Sequence, residues 1–262
     1  MERSRIIVLF FLVSLMATSC SKMDALFRNG EPVTEQRSVA HRFSVIAMYN
    51  NVNVKLVQSS HPRLELTCPK NLIEKIVTEV DGDTLFVKNE NDYNWLRSYD
   101  YDIDLTVYYD SLSAINYASI GDLRSVDSIH GMTSLSIDST ELGIDTLFTH
   151  NFILRVKEGS GNIDLCFNCS VLKTLFSFGT SEVTLRGYAG YTEHYIRSYG
   201  CIHAETLNSN IVKVMSESTN DIYVWARSQL YARLSSIGNV YYKGHPWIEQ
   251  HCTNDGRVIK ME

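Results

Sequence analysis

Between residues 120 and 240 the chain repeats about every 20 residues, and this period limits the fold more tightly than any other feature. The unit is a small or polar turn followed by an aliphatic anchor, as in Ser160-Gly161-Asn162-Ile163. The anchors are Leu123, Leu142, Ile163, Val183, Ile202, Ile222 and Val240, spaced by 19, 21, 20, 19, 20 and 18 residues. Some seven to nine residues before most of them stands a second apolar pair, such as Leu135 with Ile137, Leu154 with Val156, or Tyr195 with Ile196. Each repeat therefore holds two short strands and two turns.

A two-strand unit of this size cannot bury its apolar stripe alone, so neighbouring units must stack. Stacking predicts an all-β solenoid whose rungs pair like positions at about 4.8 Å. Its inner column would run Ile163, Val183, Ile202, Ile222 and Val240, with Leu165, Leu185, Ala204, Val224 and Tyr242 two residues on. Glycine at the turns is expected where φ is positive. The end rungs need covering, because they expose unpaired backbone groups. Residues 38–110 are assigned to N-terminal capping strands, 111–245 to the repeats and 246–262 to a C-terminal cap. An antiparallel sandwich would also supply many short strands, although it need not carry a repeat at twice its turn spacing. A propeller needs about 40 residues per blade.

Ahead of the repeats, Phe43 and Val45, then Val52, Val54 and Leu56, alternate across an Asn50-Asn51 turn. Leu72, Ile73, Ile76 and Val77 fit one face of a helical turn, while Val77 and Val80 lead toward a strand, so this segment is open between the two. Asp81-Gly82 separates two apolar runs and predicts a type I′ hairpin. A polar and aromatic loop, Asn91 to Asp102, precedes the alternating Ile103, Leu105 and Val107.

The first residues have the three parts of an export signal, assigned to 1–19: Arg3 and Arg5, an apolar run from Ile6 to Met16, then Ala17, Thr18 and Ser19. The run is too short to be kept as a membrane span. Leu15 to Cys20 resembles a bacterial lipobox, which makes Cys20 the lipid-attachment residue and the membrane a partner through that anchor. Residues 20–37 would then be the lipidated Cys and its tether. Five further cysteines, Cys68, Cys166, Cys169, Cys201 and Cys252, leave at least one thiol free. Cys166 and Cys169 form a C-x-x-C, but residues three apart on a strand face opposite ways, which favours a structural role over a redox or metal one.

A formal charge of -6 without a Lys/Arg cluster excludes a nucleic-acid partner. The eight His are scattered, and no metal or cofactor is assigned. Polysaccharide cleavage needs paired carboxylates, or a carboxylate-bound cation beside a base. The residues preceding the anchors give an outward column of Asp122, Glu141, Asn162, Glu182, Cys201, Asp221 and Asn239, in which Asp122 and Glu141 would stand one rung apart. The same residue types also suit bends and water, so no catalytic residue is assigned. The aromatic loop is the better ligand candidate. Tyr93, Trp95, Tyr99 and Tyr101 combine flat apolar faces with neighbouring acids, a mixture that glycans and partner proteins both exploit, unless the rings merely cap the solenoid. A further outward set, Arg186, Glu205, Trp225 and Lys243, offers a cross-rung pair between Arg186 and Glu205.

Several stretches then match a family in order. Arg42-Phe43-Ser44-Val45-Ile46, Asn53-Val54-Lys55-Leu56, Asn71 to Ile76, Asp81-Gly82 with Leu85, the Ser-Gly-Asn-Ile turns and Ser236 to Pro246 together resemble the auto-transporter adhesin head GIN domain family, DUF2807, over about 38–260. The resemblance implies a right-handed parallel β-helix similar to pectin lyases, in an exported protein or lipoprotein with a role in cell adhesion. Thr140-Glu141 and Thr219-Asn220 depart from the family's Gly-Ser-Gly turns. Combined with Cys20, the resemblance implies an outer-membrane lipoprotein of a Gram-negative bacterium, facing the periplasm or cell surface and presenting a non-enzymatic surface to a glycan or envelope protein. The alternative is a polysaccharide-active enzyme of the parallel β-helix type.

Overall fold

The computed structural model describes residues 29–91, 101–131 and 151–262. Its first strands are β1 (Pro32–Ser38), β2 (Val45–Asn50), β3 (Asn53–Gln58), β4 (Arg63–Pro69), β5 (Ile76–Asp81) and β6 (Thr84–Asn89). Next come β7 (Asp104–Tyr109), β8 (Ala114–Ser119), β9 (Leu123–Ser125) and β10 (Asn151–Gly159). The long strands are β11 (Ile163–Phe176), β12 (Val183–Ile196), β13 (Ile202–Ser216) and β14 (Ile222–Leu234), and β15 (Val240–Lys243), β16 (Trp247–Cys252) and β17 (Val258–Lys260) follow. The described strands form one 17-stranded sheet, which curls, open, around an axis.

Two parallel ladders make up most of it. The first stacks β7, β3, β9, the front half of β11, then β12, β13, β14, β15 and β17. The second stacks β6, β2, β8, β10, the rear half of β11, then β12, β13, β14 and β16. The period-2 pattern of the sequence decides which side chains enter the space between them. Ile163, Val183, Ile202, Ile222 and Val240 lie in register and are buried; Leu165 with Leu185 and Ala204 with Val224 are paired and buried too. Tyr242, the last of the second row, is half-buried against the core. From the other ladder Phe152 reaches across to Phe167, with ring centroids 5.2 Å apart. Each buried aliphatic side chain contributes about 1.5–3 kcal/mol, so the repeated column is what drives stacking.

Four local departures have physical causes. The ladder passes from Leu123 directly to Ile163, and from Ile115 directly to Leu154, so the expected step through Leu142 is not taken; Leu142, Leu135 and Ile137 lie outside the described residues. The Asp81-Gly82 hairpin forms with Asp81 opposite Thr84, but only Gly82 has positive φ, at 60°, which is the type II′ pattern and not type I′. Part of the stretch expected as a tether forms β1, antiparallel to β4. Its Arg37 guanidinium donates to the carbonyls of Ile73 and Ile76 at 3.0 and 2.5 Å, fixing the single 3-10 turn at Ile73–Lys75 to the sheet.

The fourth concerns the turns. Gly161 and Gly200 do not have positive φ. A β-carbon on Gly161 would stand 2.4 Å from the Gly121 carbonyl oxygen, and one on Gly200 would stand 1.9 Å from that of Ser181. Their glycines are required by rung-to-rung contact. Positive φ occurs at Gly159 and Gly179, where the link to the next anchor (Val156 to Ile163, Phe176 to Val183) is one residue longer than at Ile196 to Ile202.

The two ends differ. At one end β5 lies antiparallel on β6, and β4 antiparallel on β7. At the other, β16 and β17 continue the parallel ladders as a further rung. That rung sets exposed Gln250 against buried Ala232 and exposed Cys252 against buried Leu234. Polar composition closes this end in the way terminal repeats of stacked proteins commonly do.

Candidate binding surface

The column of residues before the anchors is a chain of backbone caps. The Asn162 N–H donates to Asp122 Oδ1 at 2.8 Å, and the Asp122 N–H donates to Asn53 Oδ1 at 3.0 Å. Farther along, the Asn239 N–H donates to Asp221 Oδ1 at 2.9 Å, and the Arg257 N–H to Asn239 Oδ1 at 3.0 Å. Each side-chain oxygen satisfies an amide of the next rung, which explains why Asp and Asn recur at a bend that would otherwise leave donors unpaired. The rung neighbour of Asp122 is Asn162, and Glu141 lies outside the described residues. The expected pairing of Asp122 with Glu141 therefore lies outside the described residues. Among the described residues no group of three or more His, Cys, Asp or Glu side chains is placed to hold a metal.

One outward face of the first ladder carries an aromatic stack. His203 and Tyr223 lie 5.2 Å apart and 7° from parallel, and Tyr223 and Tyr241 lie 5.1 Å apart at 14°. Beside them the Lys243 ammonium sits 4.6 Å from the Trp225 ring centre. Ring faces are turned toward one another along the ladder, as stacked identical positions dictate. A bulge in β13 between Ala204 and Asn208 swings Glu205 beside His203, with Nδ1 to Oε1 at 3.6 Å, while Glu182 approaches Nε2 at 3.3 Å. The bulge also removes the expected Arg186–Glu205 pair. A register shift between Thr184 and Arg186 puts Arg186 opposite Thr206, and its guanidinium meets Asp164 at 2.9 Å instead. Both partners are about half exposed, so the pair adds little stability.

Of the aromatic loop, Tyr101 is half-buried and packs against the core; Tyr93, Trp95 and Tyr99 lie outside the described residues, as does Cys20. Cys166 and Cys169 do point to opposite sides. Cys166 lies 3.3 Å from the Ser128 hydroxyl on the outer side. Cys169 is buried, and desolvation pushes its thiol up to about 12, leaving it protonated and unreactive. The Cys201 thiol donates to the Asp221 carbonyl at 3.3 Å and is likewise raised by burial. None of the five described cysteines is disulfide-bonded.

No curated protein matches the chain. Among solved structures it is similar to a putative adhesin from Bacteroides fragilis NCTC 9343, with a TM-score of 0.75 and 20% identity over 90% of this chain and 100% of that one. A putative lipid binding protein from Parabacteroides distasonis ATCC 8503 gives a TM-score of 0.61 at 19% identity, covering 90% of this chain and 100% of the other. A putative adhesin from Parabacteroides merdae ATCC 43184 gives 0.55 at 18% identity, over 90% and 98%. At these identities the likeness is one of fold. The family model described as "Putative auto-transporter adhesin, head GIN domain" matches residues 42–246, and the chain belongs to that family.

Proposed function

We propose that the protein is a non-enzymatic envelope scaffold, anchored in the outer membrane by acylated Cys20, whose stacked rungs present a binding surface in adhesion or envelope interaction. The parallel register that returns every 20 residues or so between β11 and β14 supports treating the curled sheet as a parallel β-helix. The observation that carries the non-enzymatic reading is the use of Asp122 and Asp221. These two acids, which a glycan-cleaving site would draw on, hold backbone amides of the neighbouring rung. Anchoring rests on the lipobox-like Leu15 to Cys20. The family's description supports adhesion.

The intact lipoprotein should be screened for binding to glycans and envelope proteins beside hydrolase and lyase assays on the same glycans. Binding without turnover supports the scaffold; turnover without binding to any envelope component would refute it. Replacing Cys20 by Ser should move the protein from the membrane fraction to the soluble one, and retention in the membrane would remove the anchor from the account.

A further inference from the structure

Where a ladder ends, its outward side chains lose a neighbour on one side. In the second ladder this happens at β16, which among the described residues pairs with β14 alone. The register sets Trp247 beside Gln229, Glu249 beside Tyr231 and His251 beside Arg233. Strand alternation turns all six to the outer face. They form a grid two rungs wide and about 13 Å long at roughly 3.3 Å per residue.

Trp247 is 59% exposed. Its ring meets that of Tyr231 edge to face, with centroids 6.0 Å apart at 73°, and with no described strand beyond it an indole face stays in water. The fold asks for no particular side chain at this place, since Gln229, Ile211, Tyr191 and Val171 hold it in the earlier rungs. The polar groups of the grid are also left over. In the preceding rungs the outward charges neutralise one another: Lys173 and Lys213 hold Glu193 at 3.1 and 3.0 Å, and Arg197 meets Glu217 at 3.0 Å. Arg233 and Glu249 are exposed, and neither has an ion-pair partner among the described residues. The Tyr231 hydroxyl donates to Gln229 Oε1 at 3.3 Å, which leaves the Gln229 amide N–H groups to a ligand.

Charge selects the class of that ligand. Arg233 and Glu249 cancel within the grid, and Lys213 on its inner border is neutralised by Glu193. The rear border is the uncharged Ser235 and Thr253, and exposed Arg227 and His245 stand at the front corner. A polyanion would meet the Glu249 carboxylate in the middle of the grid, and a polycation the Arg233 guanidinium. A protein partner calls for a charge-poor, desolvated centre, whereas the open indole is bordered by Gln229 and Glu249. A neutral sugar suits each group. Its C–H face covers the indole, and its hydroxyls accept from Gln229 and Arg233 and donate to Glu249.

We infer that this grid on the last two rungs binds a neutral glycan, with Trp247 as the stacking platform and Gln229, Arg233 and Glu249 holding the sugar hydroxyls. The site rests on the binding-surface reading above and gives it a ligand class and a place.

The test measures binding of neutral gluco-, manno- and galacto-oligosaccharides, beside uronate-bearing ones, to the full-length protein by glycan array and titration calorimetry. The expected result is binding of a neutral oligosaccharide that changes little between low and high salt. Trp247→Ala should weaken it about tenfold or more through loss of the stacked ring, and Glu249→Gln or Arg233→Gln severalfold. Trp247→Phe should keep most of it, and Tyr188→Ala, at a side chain 43% exposed on β12, should leave it unchanged. Melting temperatures read in parallel establish that each variant folds. Preference for uronate-bearing glycans, no neutral glycan bound, or equal loss in Tyr188→Ala overturns the assignment. Undiminished glycan binding by Trp247→Ala leaves the scaffold reading standing and removes only the grid. Glycan turnover without binding to any envelope component removes both.

Discussion

At the scale of single residues the turn glycines are the sharpest constraint. An added methyl at Gly200 would meet the Ser181 carbonyl at 1.9 Å, whereas one at Gly82 meets nothing within 4 Å and is opposed only by its φ of 60°. Gly200→Ala should therefore cost about 3 kcal/mol or more by overpacking, and Gly82→Ala about 1–2 kcal/mol by backbone strain; urea unfolding of the two variants checks the order. The Gly residues were visible in the sequence, but their reason was not, because close approach between rungs is a contact between residues some 20 positions apart. His194 shows the same limit. It sits in an inner column between Thr174 and Val214, bonded to the Thr174 hydroxyl at 2.8 Å, and no local pattern marks it as internal.

His194 also gives the protein a defined acid sensitivity. Burial pushes its imidazole down to about 4, against about 6.5 in an unfolded chain. Below pH 6.5 the unfolded state takes up a proton that the folded state refuses until about pH 4. Stability attributable to this group therefore falls as pH drops through that window, by on the order of 3 kcal/mol in all, and is unaffected above it. His194→Val, which copies the next rung's Val214, should flatten the slope between pH 6.5 and 4 in urea unfolding. An unchanged slope would show that other groups control it.

At the scale of elements, stability comes from neighbouring rungs matching position by position. Glu193 lies between Lys173 and Lys213 at 3.1 and 3.0 Å. Burial alone would raise its carboxyl, and the two lysines outweigh that and hold it below the ordinary carboxylate range. The corner caps act similarly. Asp221→Ala should cost about 1–2 kcal/mol, because the Asn239 amide loses its acceptor, while Asp221→Asn should be nearly neutral; thermal unfolding separates the two. The register from Ile163 to Val240 was readable because aliphatic anchors and polar turns alternate without interruption. The β13 bulge and the direct pairing of Leu123 with Ile163 were not, since a regular spacing does not say which repeat the ladder passes over. Leu207, buried out of step with Ala204, was the available sign of the bulge.

At the scale of the whole molecule, stacked rungs behave as a row of neighbours, with end rungs supported on one side only. Amide hydrogen exchange should find the greatest protection in β12 and β13 and the least in β16 and β17. Equal protection throughout would mean the molecule opens only as a unit. The all-β class and the parallel stacking of like positions were legible in the 20-residue period, and the antiparallel closure by β4 and β5 was not, because edge pairing leaves little trace in composition. The candidate site was legible only as a list of outward residues. Which carboxylates are occupied and which apolar side chains are left in water depends on the turns between rungs.

The central claim is that Asp122 and Asp221 hold the scaffold together and do no chemistry. The most direct measurement is turnover of a glycan panel by the wild-type protein and by the double variant Asp122→Asn with Asp221→Asn, read beside the melting temperature of each. The account predicts no turnover by either protein and closely similar melting temperatures, because Asn keeps the acceptor oxygen that caps the next rung. Turnover by the wild type that vanishes in a variant of unchanged stability would contradict it.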